Sequence, residues 1–197
     1  MTAVERLSKI HDEVMVCGRC RLAEQRRNAV PGEGNASAEM MFVGEAPGRR
    51  EDLRGRPFVG AAGRFLDELL HEAGFSRDAV YITNVIKCRP PRNRDPRPDE
   101  IATCAELYLA RQIQAIRPKL LIMLGRHSTS YILSEEGIKV GGITKIHGRR
   151  YEIKSFGFPI VAMPMLHPAA ALYNAKYKDM LKHDFRILST QVERLRH

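Results

Sequence analysis

The sequence has no tryptophan, no Arg-Gly or Ser-Arg low-complexity tract, and no apolar stretch near the ~18 residues a bilayer-spanning helix needs. With a mean hydropathy of -0.32, this excludes an integral membrane helix, so no membrane partner is expected. The opening MTAVERLSKIHDEV is charged throughout and lacks the apolar core of a secretory signal, so an intracellular, cytoplasmic protein is expected. Internal repeats are also missing, and any nucleic-acid binding has to come from a folded surface. Cysteine is scarce, with four residues in 197. In a reducing compartment such a set favours a metal over disulfides.

The remaining composition, 44% hydrophobic and 28% charged, is that of an ordinary globular protein, and the length suits a single domain over residues 1–197. Thirty-two Lys and Arg outnumber 23 Asp and Glu, and the excess is clustered. KCRPPRNRDPR at 87–97 carries five basic residues against Asp95. Arg49, Arg50, Arg54 and Arg56 form a second group, and Arg149 and Arg150 a third. Clustered positive charge attracts phosphate backbones, although most such runs are simply solvated.

Thr2 with Glu5 forms a capping box ahead of Val4, Leu7, Ile10 and Val14 at helical spacing. Met40 to Val43 reads as a buried strand stopped by Gly44-Glu45-Ala46-Pro47-Gly48. Phe65, Leu66, Leu69, Leu70 and Ala73 predict a helix ended by Gly74, and Ala79 to Ile86 a strand. A helix follows Pro98, then a strand at Leu120 to Leu124 and a helix over Arg126 to Ser134. Ile138 to Met163 predicts a hairpin with a core strand at Pro159 to Met163, and Leu181, Phe185, Leu188, Val192 and Leu195 predict a long amphipathic helix. Strands alternating with helices imply a three-layer α/β/α sandwich around a mostly parallel sheet. Ligands in such sheets sit at the carboxyl ends of strands. Those ends carry Glu45, Asn84, His127 and His167.

Cys17 and Cys20 form a C-x-x-C pair, with Cys88 and Cys104 further along. Four thiolates suit either zinc or an iron-sulfur cluster, and the spacing matches neither a zinc ribbon nor a ferredoxin run. A centre here would staple the basic segment in place, a structural rather than a catalytic task.

GEAPG at 44–48, RREDLRGRPFVGAAGRFLD after it, TNVIKCRPP at 83–91, Cys104 and HPAA at 167–170 appear in one order. Together they resemble the family 4 uracil-DNA glycosylases of archaea and thermophilic bacteria, from Cys17 to the final helix. The resemblance implies one structural 4Fe-4S cluster on Cys17, Cys20, Cys88 and Cys104. It implies a monofunctional enzyme that flips uracil from single- or double-stranded DNA, hydrolyses its N-glycosidic bond and leaves an abasic site in base excision repair. Neither magnesium nor a nucleotide cofactor is expected, and the protein is expected to be a nucleoid-associated monomer.

On the same resemblance, His167 hydrogen-bonds uracil O2, Asn84 pairs with O4 and N3, and Phe58 stacks on the base. Gly44 and Ala46 bring backbone close to the ring. Glu45 positions water or stabilises sugar cation character, with Glu51 a second candidate for that role. Leu172 is the candidate wedge that fills the vacated base stack, with Tyr173 next. No aromatic follows Glu45 to meet a 5-methyl group, so thymine has to be excluded by another wall or incompletely. One branch of the superfamily uses a histidine nucleophile on an insertion, and Lys145-Ile146-His147 is superficially similar but lies at a different place along the chain. A non-catalytic DNA-binding or redox-sensing module is the alternative from another class.

Overall fold

The computed structural model describes the backbone of residues 1–196 and the side chains of residues 1–192, so the expected contact of Leu195 lies outside the described residues. The chain forms α1 (Ala3–Met15), β1 (Glu33–Gly34), β2 (Met40–Gly44), α2 (Arg49–Arg54), α3 (Ala61–Glu72) and β3 (Tyr81–Asn84). There follow α4 (Pro98–Cys104), α5 (Ala110–Ile116), β4 (Leu120–Leu124), α6 (Arg126–Ser134) and α7 (Ile143–Ile146). The last elements are β5 (Tyr151–Ile153), β6 (Ile160–Met165), α8 (Pro168–Ala171) and α9 (Ala175–Arg196).

The strands make one mixed sheet in the order β1-β3-β2-β4-β6-β5. The four central strands run parallel, and the short edge strands β1 and β5 pair antiparallel. Because strand side chains alternate faces, the apolar run of β2 feeds two cores. Met41 and Val43 pack with Ile10 and Val14 of α1, Ile113 of α5 and Ile132 of α6. Met40 and Phe42 pack on the other face with Leu66 and Leu69 of α3 and Phe185 and Leu188 of α9. This is the expected three-layer α/β/α arrangement.

Several boundaries differ from expectation. The strand predicted over Ala79 to Ile86 is confined to Tyr81–Asn84, because Arg77–Ala79 form a 3-10 turn and the chain leaves the sheet after Asn84. The last core strand is shifted from the predicted Pro159 to Met163 and spans Ile160–Met165. The helix after Pro98 is interrupted by a π-helical turn at Ala105–Leu109, directly after Cys104. Such turns gather at functional sites. At the N-terminus, the Thr2 and Glu5 capping box forms as expected, but Val4 points outward at 64% exposure.

The α9 face rests on aromatic stacking of Phe185 against Phe42, with ring centroids 5.9 Å apart and both rings buried. Phe185→Ala is expected to destabilise the fold by about 3–5 kcal/mol, read as a fall in the urea midpoint.

Candidate active site

Strands β2 and β3 run in register, with Gly44 opposite Asn84 at their carboxyl ends. The chain stays stitched beyond them, since Val85 N donates to Gly44 O at 2.9 Å and Ile86 N to Glu45 O at 3.2 Å. A Cβ on Gly44 would stand 2.4 Å from Asn84 Oδ1 and 2.7 Å from Phe58 Cζ, so only glycine allows this approach. Above the strand ends a pocket of about 380 Å³ opens, of a size suited to a small ligand. Glu45, Ala46, Glu51, Phe58, Asn84 and His167 all line it.

Phe58 has a positive φ of 50°, a strained backbone for a large residue. Glu51 holds that loop. Its Oε1 accepts from Val59 N at 2.9 Å and Gly60 N at 2.8 Å, at the start of α3, where the helix dipole favours negative charge. Gly63 completes the clamp, because a Cβ there would lie 1.8 Å from Phe58 O. The Phe58 ring is thereby set against His167, with centroids 5.6 Å apart and planes 25° from parallel. Glu51, expected as a second catalytic carboxylate, thus spends one oxygen on positioning Phe58.

His167 caps α8, and its Nδ1 accepts from Ala169 N at 3.1 Å. A lone pair on Nδ1 assigns the proton of the neutral ring to Nε2. Burial pushes the imidazole pKa down to about 4, so the ring is neutral at physiological pH. Asn84 is 2% exposed, and its Oδ1 is buried with no hydrogen-bond partner among the described residues. An orphaned buried acceptor is rare and points to a missing donor. The pocket therefore offers one acceptor and one fixed N–H. Burial also raises the Glu45 pKa, opposed by His127, reinforced by Asp95 and opposed by Arg126.

Lys87 departs from the sequence reading. The basic run at 87–97 places it with solvated charge, yet it is 1% exposed. Its Nζ donates to Thr83 Oγ1, Asn84 O and Gln112 Oε1, each at 2.7 Å, which fixes the backbone of Asn84 from below. Its own backbone N donates to Cys104 Sγ at 3.3 Å, so one residue touches both the pocket floor and the cysteine group.

Cys17, Cys20, Cys88 and Cys104 line one small pocket. Burial raises the Cys88 thiol pKa and pushes Cys104 up to about 12, so ionisation there calls for a bound cation. Arg26 also donates to Cys88 Sγ at 3.1 Å, the kind of bond that tunes a metal-bound thiolate. Among the described residues, the three ligand atoms that lie within 4.8 Å of one another belong to Glu45, Asp95 and His127, and the thiols are not so gathered. A single tetrahedral zinc with bonds of ~2.3 Å would need sulfurs only ~3.8 Å apart. The four thiols lining one pocket are a donor set suited to zinc or to an iron-sulfur cluster.

Sequence reasoning missed Pro90, Asn93 and Arg94, which line the active pocket from the loop between Cys88 and Cys104. The available signal was their position between two candidate ligands. Arg94 is held by two bonds to the buried Glu100, at 2.8 and 2.6 Å, so its charge is already paired. Leu172 and Tyr173 follow α8 at 43% and 90% exposure. His147 is engaged elsewhere: its Nδ1 lies 2.8 Å from the buried Asp184 of α9.

Comparison with known proteins gives a consistent result. A family model described as the uracil DNA glycosylase superfamily matches residues 31–189. The chain is 52% identical over 184 residues to the type-4 uracil-DNA glycosylase of Saccharolobus solfataricus, covering 93% of this chain and 85% of that one. It is 45% identical over 183 residues to the type-4 uracil-DNA glycosylase of Archaeoglobus fulgidus, covering 93% and 92%. The type-5 uracil-DNA glycosylase of Thermus thermophilus is 34% identical over 143 residues, 63% of each chain.

Removing the Glu51 carboxylate leaves two backbone donors unpaired beside a strained residue. Glu51→Ala is expected to lower stability by about 2 kcal/mol in urea unfolding, whatever its effect on the chemistry of the pocket.

Proposed function

Since the chain belongs to the uracil DNA glycosylase superfamily, we propose that it is a monofunctional uracil-DNA glycosylase that leaves an abasic site for base excision repair. The observation that carries this reading is the unpartnered Asn84 Oδ1 in the same pocket as the neutral His167 ring.

Uracil presents N3–H as a donor flanked by O2 and O4 as acceptors. Asn84 Oδ1 accepts from N3–H while its Nδ2 donates to O4. Cytosine reverses both, leaving buried groups unsatisfied at a cost of about 1–3 kcal/mol each. Phe58 covers the face of the base. As the bond from C1′ to N1 breaks, its electron pair passes to the base and charge grows on O2, where His167 Nε2–H donates to it. A neutral donor suffices, so the low pKa of His167 suits this role. The sugar left behind has oxocarbenium character. Ionised Glu45 stabilises it and orients the water whose oxygen bonds to C1′, with the released proton passing to the carboxylate or the departing base.

Among the described residues no lysine lines the pocket, in keeping with a product strand that is left uncut. Flipping costs a few kcal/mol of stacking, which Leu172 offsets by filling the gap, with Tyr173 beside it. Single-stranded substrate avoids that cost, so both strand forms are substrates. Exposed Arg49, Arg50, Arg92 and Arg97 supply phosphate contacts. A 4Fe-4S cluster on Cys17, Cys20, Cys88 and Cys104, when bound, supplies cross-links that hold the 88–104 loop and no step of the cleavage. Neither magnesium nor a nucleotide has a part in this scheme. The protein acts as one domain and a monomer, inside the cell and at the nucleoid.

The test uses purified protein on an oligonucleotide with one uracil, in chelator without magnesium, followed by hot alkali. Strand breaks only after alkali are expected, with Asn84→Ala and His167→Ala each slowing excision about 10²–10³-fold in single turnover. Breaks without alkali, or unchanged variants, would sink the reading. Cys104→Ser is expected to lose bound iron by metal analysis and to unfold at lower urea. Stoichiometric zinc in place of iron would overturn the cluster assignment.

A further inference from the structure

Glu45 also meets a group that takes no part in the proposed cleavage. His127, on the first turn of α6, places Nε2 3.8 Å from Glu45 Oε2 and 3.4 Å from Asp95 Oδ2. Arg126 closes the group, with its NH2 2.6 Å from Asp95 Oδ2 and 3.0 Å from His127 Nε2. These residues come from three separate parts of the chain: the end of β2, the loop between Cys88 and Cys104, and the start of α6. The spacing of Glu45, Asp95 and His127 would admit a cation, but the Arg126 guanidinium already supplies positive charge there.

We infer that His127 is a positioning residue for the glycosylase reaction: backed by Asp95 and Arg126, it holds the Glu45 carboxylate ionised and aimed at the sugar. The inference rests on the glycosylase reading. Two carboxylates and one guanidinium face the imidazole: the Arg126 NH2 group can only donate, so it meets the Nε2 lone pair of the neutral ring, while in the protonated ring Nε2–H faces Asp95 at 3.4 Å and its charge acts on Glu45 at 3.8 Å through space rather than through a hydrogen bond. The exposure of the four supports this division. The His127 side chain is 18% exposed and Glu45 30%, whereas Asp95 and Arg126 are 66% and 63% exposed and can be braced by solvent.

The charged and titratable groups facing Glu45 are His127 and Arg126 from α6 and Asp95 from the 88–104 loop, with Glu51, Arg94 and His167 around the same pocket. Burial raises the Glu45 pKa, and the His127 charge lowers it. The scheme requires Glu45 as the carboxylate, so its ionisation sets the acid limb of the rate profile. Taking away His127 removes a lowering influence, and the limb must move to higher pH.

The experiment measures single-turnover uracil excision from a single-stranded oligonucleotide against pH for wild type, His127→Ala, His127→Gln, Glu45→Gln and the His127→Ala/Glu45→Gln pair. At neutral pH His127→Ala is expected to be roughly tenfold slower, with its acid limb shifted upward. The double variant is expected to be no slower than Glu45→Gln alone, because the histidine acts through the carboxylate. His127→Gln keeps a neutral donor, so it should recover part of the rate while leaving the limb shifted. It also serves if His127→Ala folds poorly. A uniform slowing with an unmoved limb, or additive losses in the double variant, overturns the inference. Absence of excision by wild type would instead overturn the glycosylase reading.

Discussion

Gly44 has no side chain, and the pocket is built around that gap. Parallel strands bring their carboxyl ends level, and here the register sets Gly44 directly beside Asn84. The space a Cβ would fill is taken by the Asn84 amide and the Phe58 ring. That close approach packs an unpartnered carbonyl oxygen and an aromatic ring against Gly44 in the lining of a small cavity. The other features of the site serve to keep those two groups where they are. Glu51 and Gly63 restrain the strained residue at 58, and Lys87 fixes the backbone that carries the amide.

The buried Lys87 ties the cysteine group to the pocket. Burying an amine is costly, and burial pushes the Lys87 pKa down to about 7, while three acceptors at 2.7 Å satisfy its donors. The same residue donates its backbone N–H to Cys104, so the cysteine group and the floor of the pocket share one anchor. From there the loop runs out to Pro90, Asn93 and Arg94 in the pocket wall and to Asp95 beside His127. Fixing the loop at Cys88 and Cys104 therefore restrains both a wall of the pocket and the surroundings of Glu45. A structural centre can matter for catalysis in this way without touching the substrate.

The sandwich was legible because period-2 and period-3.6 apolar patterns are local signals. The capping box at Thr2, the helix at Arg126–Ser134 and the strand at Leu120–Leu124 followed from neighbouring residues alone. Strand β3 was overextended because Val85 and Ile86 are as apolar as a strand, yet they bond back to the Gly44-Glu45 turn. The π-helical turn after Cys104 left no mark in the spacing. Lys87 looked like surface charge because nothing near it in sequence shows that Thr83 and Gln112 would enclose it.

The sequence by itself determined the layered α/β architecture, the four cysteines as one candidate centre, and the polar residue types gathered at the strand ends. These depend on local periodicity and on motifs whose residues lie within a few positions of one another. The tertiary structure decided what each polar group does. It turned Glu51 toward two backbone N–H groups, took the Nδ1 lone pair of His167, left the Asn84 oxygen without a partner among the described residues, and brought His127 and Asp95 to Glu45. The physical reason is that hydrogen bonding and burial act between atoms close in space, and these partners come from segments that only packing brings together.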